Sequence, residues 1–351
     1  MHITVVYGTR PEAIKLGPVV QELRRRAVEP TILATGQHTT LLQGTPAETV
    51  LLPRVSLGLA SDNDPLRYAA VAELALWALW AEVEHRPDLV MVVGDTASAY
   101  AGARAAHAVN IPVAHVEAGV RTGDAQDPWP EECFRREIDA ITEFAFCATG
   151  QNGQHITRMP KWPRVMAVTG NPGIDALYEH TQPTQTVYDR VLITLHRRES
   201  FGDPLAAIVQ GLLVGAKRWW SQLFWWPTHP NPHVQAALPR GHRPESLILT
   251  PPMGAQEFAY QLARARCVIT DSGGVQEEAA ALGIPCLVAR EKTDRPESVD
   301  VGLAKVIGRT EQGVLDGLDW ALSFSTRPAP SHCFGDGHAA PRIVNHLLTG
   351  D

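Results

Sequence analysis

A chain of 351 residues is longer than one ordinary core accommodates, and a prior of about 150 residues per domain divides it into two. Hydrophobic residues at 44% and charged residues at 20% match a soluble globular protein. Thirty-one Lys and Arg against 38 Asp and Glu, a net charge of -7, argue against a broad nucleic-acid footprint but leave room for a local cationic site for a small anion.

The chain enters a strand pattern at once with "MHITVVYGTRPEAIK", without the basic and apolar regions of a secretory leader. After "ITVVYG" a helix is expected from about Pro11 to Arg26. The stretch "AAVAELALWALWAEV" (69–83) is interrupted by Glu73 and Glu82 and falls short of the ~20 residues of a membrane span. It reads as a buried core helix, so no membrane partner is expected. "LVMVVGD" then precedes an Ala-rich helix from about Thr96 to Val109, and "PVAHVE" and "FAFCATG" continue the alternation. Around 164 to 175, "RVMAVTGNPGIDAL" reads as the last strand of a first unit and a crossing point.

A second alternating series follows: "RVLITLHRRES", "QLFWWPTHPNP", "ESLILTPP", "ARCVITDSGG", "PCLVARE" and "AKVIG". The Trp-rich "RWWSQLFWW" (218–226) reads as a helix end and a buried strand. Strands alternating with helices argue for parallel sheets covered on both faces. The expected fold is therefore α/β, with a first doubly wound domain over 1–171, a second over 172–334, and a C-terminal helix within 335–351 packing back on the first. Ligands in such sheets sit beyond the carboxyl ends of the strands, so a cleft between the two domains is expected. The five cysteines, Cys133, Cys147, Cys267, Cys286 and Cys333, form no C-x-x-C pair; neither a disulfide framework nor a zinc site is indicated, and a reducing, cytoplasmic setting is expected.

Small or polar clusters follow nearly every expected strand end: "GTRPE" (8–12), "GDTAS" (94–98), "HVEAG" (115–119), "HRRES" (196–200), "THPNP" (228–232) and "DSGG" (271–274). In "CVITDSGGVQEEAAALG" a strand meets a helix through a turn with little side chain. Free N–H groups at that helix start would hold a diphosphate, and Glu278 one turn on would accept from ribose hydroxyls, although an ordinary tight turn reads the same way. No G-x-G-x-x-G or Walker A loop occurs, so nicotinamide cofactors gain no support. His196 is placed to donate to a departing phosphate oxygen and Arg10 to add a permanent charge; a solvated basic loop is the plain alternative for "HRRE". "HPNPH" lacks the accompanying ligands of a metal site. "HVEAGVRTGDAQDPWPEE" (115–132) holds Glu117, Glu131 and Glu132 in a Gly/Pro-rich segment, as a solvated loop or a catalytic pair would.

Taken together, "GTRPEAIK", "GDT", "HVEAGVRTGD", "PWPEE", "HRRESFG", "TDSGGVQEE" and "DRPE", in this order over nearly the whole chain, resemble the non-hydrolysing UDP-N-acetylglucosamine 2-epimerase family. The resemblance implies a GT-B-like fold of two Rossmann-like domains with the active site between them, a homodimer, no metal or redox cofactor, and UDP-N-acetylmannosamine as a product for surface polysaccharides. It places acid/base carboxylates on Asp95, Glu117 and Glu131, the last two bracketing a Gly/Pro loop that closes over the sugar ring, and the leaving-group histidine on His196. Nucleotide contacts fall on Arg10, Ser272, Gly273, Gly274 and Glu278, with Phe258 beside the uracil; Lys15 and Arg135 are further substrate contacts. The implied reaction removes the C2 proton after the anomeric bond breaks, leaving a glycal and UDP that recombine. A second UDP-N-acetylglucosamine, an activator, would touch Gln37, Glu131, Arg197 and His229.

The chain departs from the family pattern at Phe134 (usually Asn), Pro172 and Leu303 (usually Thr) and Thr40 (usually Gln), and 43–65 looks shortened. A hydrolysing relative, a GT-B glycosyltransferase and a non-catalytic nucleotide-sugar binder remain the alternatives. The intact set of Asp95, Glu117 and Glu131 argues against the last two.

Overall fold

The computed structural model describes residues 1–37, 50–59, 64–82 and 86–350. They divide into two compact units, Met1–Ala176 with Gly335–Asp351, and Leu177–Phe334.

In the first unit, β1 (Ile3–Tyr7) is buried along its whole length, as befits an apolar run with helices on both faces. Helix α1 (Arg10–Arg25) starts where "TRPE" forms a capping box, the Thr9 side chain accepting from the Glu12 N–H and Glu12 accepting from the Thr9 N–H. The chain continues through β2 (Thr31–Ala34), β3 (Val55–Ser56), α2 (Pro65–Glu82), β4 (Leu89–Val93), α3 (Ala97–Ala108) and β5 (Val113–Val116). It completes the unit with α4 (Glu131–Ile141), β6 (Phe144–Cys147), α5 (Gly150–Thr157), β7 (Val165–Val168) and the start of α6 (Pro172–His180). The seven strands pair in parallel in the order β3-β2-β1-β4-β5-β6-β7. The division between the units falls inside α6, later than the expected boundary at residue 172, because one continuous helix carries the chain across it.

The second unit holds β8 (Arg190–Thr194), α7 (Asp203–Arg218), β9 (Leu223–Pro227), α8 (Pro232–Ala237), β10 (Leu247–Thr250), α9 (Ala255–Arg264) and β11 (Cys267–Thr270). It ends with α10 (Gly273–Leu282), β12 (Cys286–Val288), α11 (Pro296–Asp300), β13 (Ala304–Val306) and α12 (Glu311–Leu322). Its six parallel strands run β10-β9-β8-β11-β12-β13. Both sheets are Rossmann-like: strand order reverses beside the first strand, between β1 and β4 and between β8 and β11.

Helix α13 (Ala339–Thr349) belongs to the first unit: Ala340, Ile343, Val344 and Leu347 share its core with α1, and Asp175 accepts from the Ala339 and Ala340 N–H groups at 3.1 and 2.8 Å.

The reading of 69–83 as a buried core helix is corrected. Tyr68, Ala69, Ala72, Leu76 and Trp80 are buried along one stripe of α2, whereas Val71, Leu74 and Trp77 are 47%, 66% and 46% exposed. The helix is apolar on both sides, but only one side has α3 to pack on. No helix among the described residues is long and apolar enough to cross a membrane.

Candidate active site

All six polar clusters lie at carboxyl ends of parallel strands. In the first unit they follow β1, β4 and β5, which are neighbours, and in the second β8, β9 and β11, also neighbours. Each set flanks the reversal of strand order, where the edges of adjacent loops splay and a ligand finds space.

At the first sheet's edge, Lys15 on α1 forms an ion pair with Glu117, at the end of β5. Arg135 on α4 pairs with Asp95 at 2.6 Å and reaches Glu132 at 3.4 Å. Two candidate carboxylates thus each face a cation. Glu117 is buried, 6% exposed, and the segment turns outward only between Arg121 and Trp129. Glu131 heads α4, where the helix dipole favours negative charge, one turn before Arg135. Arg10, at the first residue of α1, has no carboxylate partner among the described residues, which suits a charge held for an incoming anion.

At the second sheet's edge, the buried Asp271 carboxylate accepts from the backbone N–H groups of His196 (2.9 Å) and Arg197 (2.9 Å). Its other oxygen lies 3.5 Å from His196 Nδ1, and the His196 ring stacks on His229 with centroids 5.6 Å apart. Helix α10 begins at Gly273 with Ser272 as an N-cap that makes no side-chain capping bond. A Cβ placed on Gly274 would meet nothing within 4 Å. The first-turn N–H groups therefore stand open, as anion binding requires. Glu278 lies beyond the first turn of α10 and Phe258 on the adjoining α9, rather than on the turn itself.

Among the described residues no group of three or more His, Cys, Asp or Glu is arranged to hold a metal. Of the departures, Phe134 is buried and stacks on Tyr100 of α3 with centroids 4.4 Å apart, Pro172 opens α6 where a missing N–H costs nothing, and Leu303 is buried. Gln37 accepts from Ser98 Oγ at 2.8 Å, and Thr40 lies outside the described residues.

Four residues here escaped the candidate set. Glu12 is 3% exposed and accepts from Gly8 N, Thr9 N and Thr96 Oγ1, tying the loops on either side of the first reversal together. Its signal was the capping-box spacing of "TRPE". Asp271 and His115 stood inside quoted motifs without a role. Asp139 carries a subtler signal: Glu132, Arg135 and Asp139, spaced i, i+3, i+7, make one charged stripe on α4, and all three are buried.

A sequence model of the family described as UDP-N-acetylglucosamine 2-epimerase matches residues 21–348. The chain is 34% identical over 363 residues to a UDP-N-acetylglucosamine 2-epimerase of Bacillus subtilis, covering 99% of this chain and 95% of that relative. To the enzyme of that name from Campylobacter jejuni it is 33% identical over 377 residues, covering 99% and 97%. Its fold matches the UDP-GlcNAc 2-epimerase of Neisseria meningitidis bound to UDP-GlcNAc with a TM-score of 0.88 at 30% identity, over 99% of this chain and 100% of that one. It also matches the Methanocaldococcus jannaschii enzyme in complex with UDP-GlcNAc and UDP, with a TM-score of 0.87 at 27% identity over 100% of both chains. These structural neighbours are GT-B-like.

Proposed function

Because the chain belongs to the UDP-N-acetylglucosamine 2-epimerase family, we propose that it interconverts UDP-N-acetylglucosamine and UDP-N-acetylmannosamine without releasing free sugar. The observation that carries this reading is the pair of cation-matched carboxylates at the first sheet's edge, Glu117 with Lys15 and Asp95 with Arg135. The C2 proton is not adjacent to a carbonyl, so an enolate route is closed. The anomeric C–O bond breaks and its electron pair leaves with UDP. A carboxylate then takes the C2 proton from the oxocarbenium-like ring, and the C–H electrons form the C1–C2 double bond of a glycal. Readdition of UDP with protonation at C2 from the opposite face inverts that centre. One group acts on each face, drawn from Asp95, Glu117 and Glu131; positioned acids and bases each contribute ~10² to 10⁴ in rate.

The diphosphate is held by Arg10, by His196 as donor to the leaving oxygen, and by Ser272, Gly273 and Gly274 at the start of α10. Glu278 takes the ribose hydroxyls, and Phe258 lies beside the uracil. Lys15 and Arg135 serve the substrate through the carboxylates they face, and no metal or redox cofactor takes part. Arg197 and His229 are contacts for a second nucleotide sugar. A cytoplasmic setting agrees with five free cysteines. A homodimer agrees with the exposed apolar stripe of α2 formed by Val71, Leu74 and Trp77.

The test is turnover of UDP-N-acetylglucosamine in D₂O followed by proton NMR. UDP-N-acetylmannosamine carrying deuterium at C2 is expected. Retention of the original hydrogen sinks the elimination, free N-acetylmannosamine identifies a hydrolysing relative, and binding without any product identifies a sensor.

A further inference from the structure

Glu117 holds a left-handed backbone, φ 68°, which few residues other than glycine adopt without being forced. The force comes from one carboxylate. Asp139 on α4 binds His115 Nδ1 at 2.7 Å, the Gly119 N–H at 3.2 Å and the Arg121 guanidinium at 2.7 Å, so the chain is pinned on both sides of Glu117. Gly119 fits this bend only as glycine: its φ is +80°, and a Cβ there would stand 2.2 Å from the Asn152 carbonyl oxygen.

The second nitrogen of His115, Nε2, lies 2.8 Å from the Gly94 carbonyl oxygen. A carbonyl and an ionised carboxylate both only accept, so each ring nitrogen carries a hydrogen, Nε2 donating to Gly94 and Nδ1 to Asp139. Burial alone would raise the Asp139 carboxyl, but His115 and then Arg121 beside it hold it below the usual aspartate range. Gly94 is itself left-handed, φ +69°, and a Cβ on it would lie 3.5 Å from Glu117 Oε2. The turn that carries Asp95 and the bend that carries Glu117 therefore pass against each other, joined through one imidazole.

We propose that His115 and Asp139 are positioning residues for the epimerisation: together they lock the Gly94–Asp95 turn to the bend at Glu117, so that the two carboxylates keep one mutual geometry. The inference rests on the proposed roles of Asp95 and Glu117. His115 and Asp139 are 1% and 4% exposed and act through the groups they hold.

The variants His115→Asn and Asp139→Asn are compared with Glu117→Gln. Asn at 115 keeps a donor near the Nδ1 position and gives up the Gly94 contact. Both positioning variants are expected to lower kcat ~10- to 100-fold while KM and UDP affinity stay within about threefold, since displacement of a reacting group by ~1 Å costs about that much. A kcat within about twofold of wild type in both overturns the proposal, as does a loss carried mainly by KM and UDP affinity. Glu117→Gln separates the two levels: normal turnover there removes the assigned chemistry, whereas an inactive Glu117→Gln beside unimpaired His115→Asn and Asp139→Asn removes only the positioning role. If the variants do not fold, ¹⁵N-histidine NMR of the wild-type protein decides. A slowly exchanging hydrogen on His115 Nε2 is expected, and a ring with hydrogen on Nδ1 alone overturns the link to Gly94.

Discussion

At the scale of residues, acidic side chains in this chain divide by what their loss costs. Glu117→Gln should lower kcat at least ~10² with little change in melting temperature by comparison, and Arg10→Ala should chiefly weaken UDP binding; steady-state kinetics and calorimetry check both. Asp139→Asn should instead destabilise the fold in a pH-dependent way. A carboxyl held below its ordinary value contributes stability that is fully present above about pH 3.9 and is lost as pH falls through the lower folded value. Urea melts of variant and wild type should therefore differ at pH 7 and converge in strong acid. The contrast also marks what could be read beforehand. Glu117 and Asp95 stood in polar clusters at expected strand ends, and an acid/base role for them came only with the family resemblance. Asp139 acts on a strand residue 24 positions earlier, a pairing set by how α4 lies over β5 and by no local spacing.

At the scale of elements, Gly274 in α10 stands where the fold itself does not require a glycine. Gly274 has a helical position and open space where a Cβ would go, and Ala is worth roughly 0.5–1 kcal/mol more than Gly inside a helix. Gly274→Ala should raise the melting temperature slightly and weaken UDP binding, because the added methyl would stand in the space proposed for the diphosphate; titration calorimetry beside a thermal melt separates the two effects. The strand-turn-helix grammar at 267–282 was legible because glycine, polar turn and Ala-rich helix follow in order. Helix α2 was misread for the complementary reason. Its composition is apolar on every side, and composition does not say which side a neighbouring helix covers; only the α3 contact distinguishes Leu76, fully buried, from Leu74.

At the scale of the whole molecule, the exposed side of α2 bears on association. Leu74→Glu, placed in the middle of the stripe, should convert the proposed dimer to monomer in sedimentation experiments while leaving the far-UV spectrum intact. Regulation belongs to the same scale. The resemblance implies a glutamine at Thr40 and a further contact within the shortened 43–65 stretch; losing two polar contacts of ~0.5–1.5 kcal/mol each would weaken a coupling between sites that is typically ~1–3 kcal/mol. The reverse reaction from pure UDP-N-acetylmannosamine should start without a lag and need no added UDP-N-acetylglucosamine. The two-unit plan was legible from alternation alone, since strands and helices each carry their own period.

The return of α13 to the first unit has a consequence for how the protein is made. Ala340, Ile343, Val344 and Leu347 complete a core whose other members precede residue 170, so the second unit emerges from the ribosome whole before the first has all its parts. Until then the groove beside α1 is bare, its apolar floor open to chaperones and to neighbouring nascent chains. Synthesis therefore finishes the later-encoded half first, and the half bearing Asp95 and Glu117 closes only after α13 has followed it.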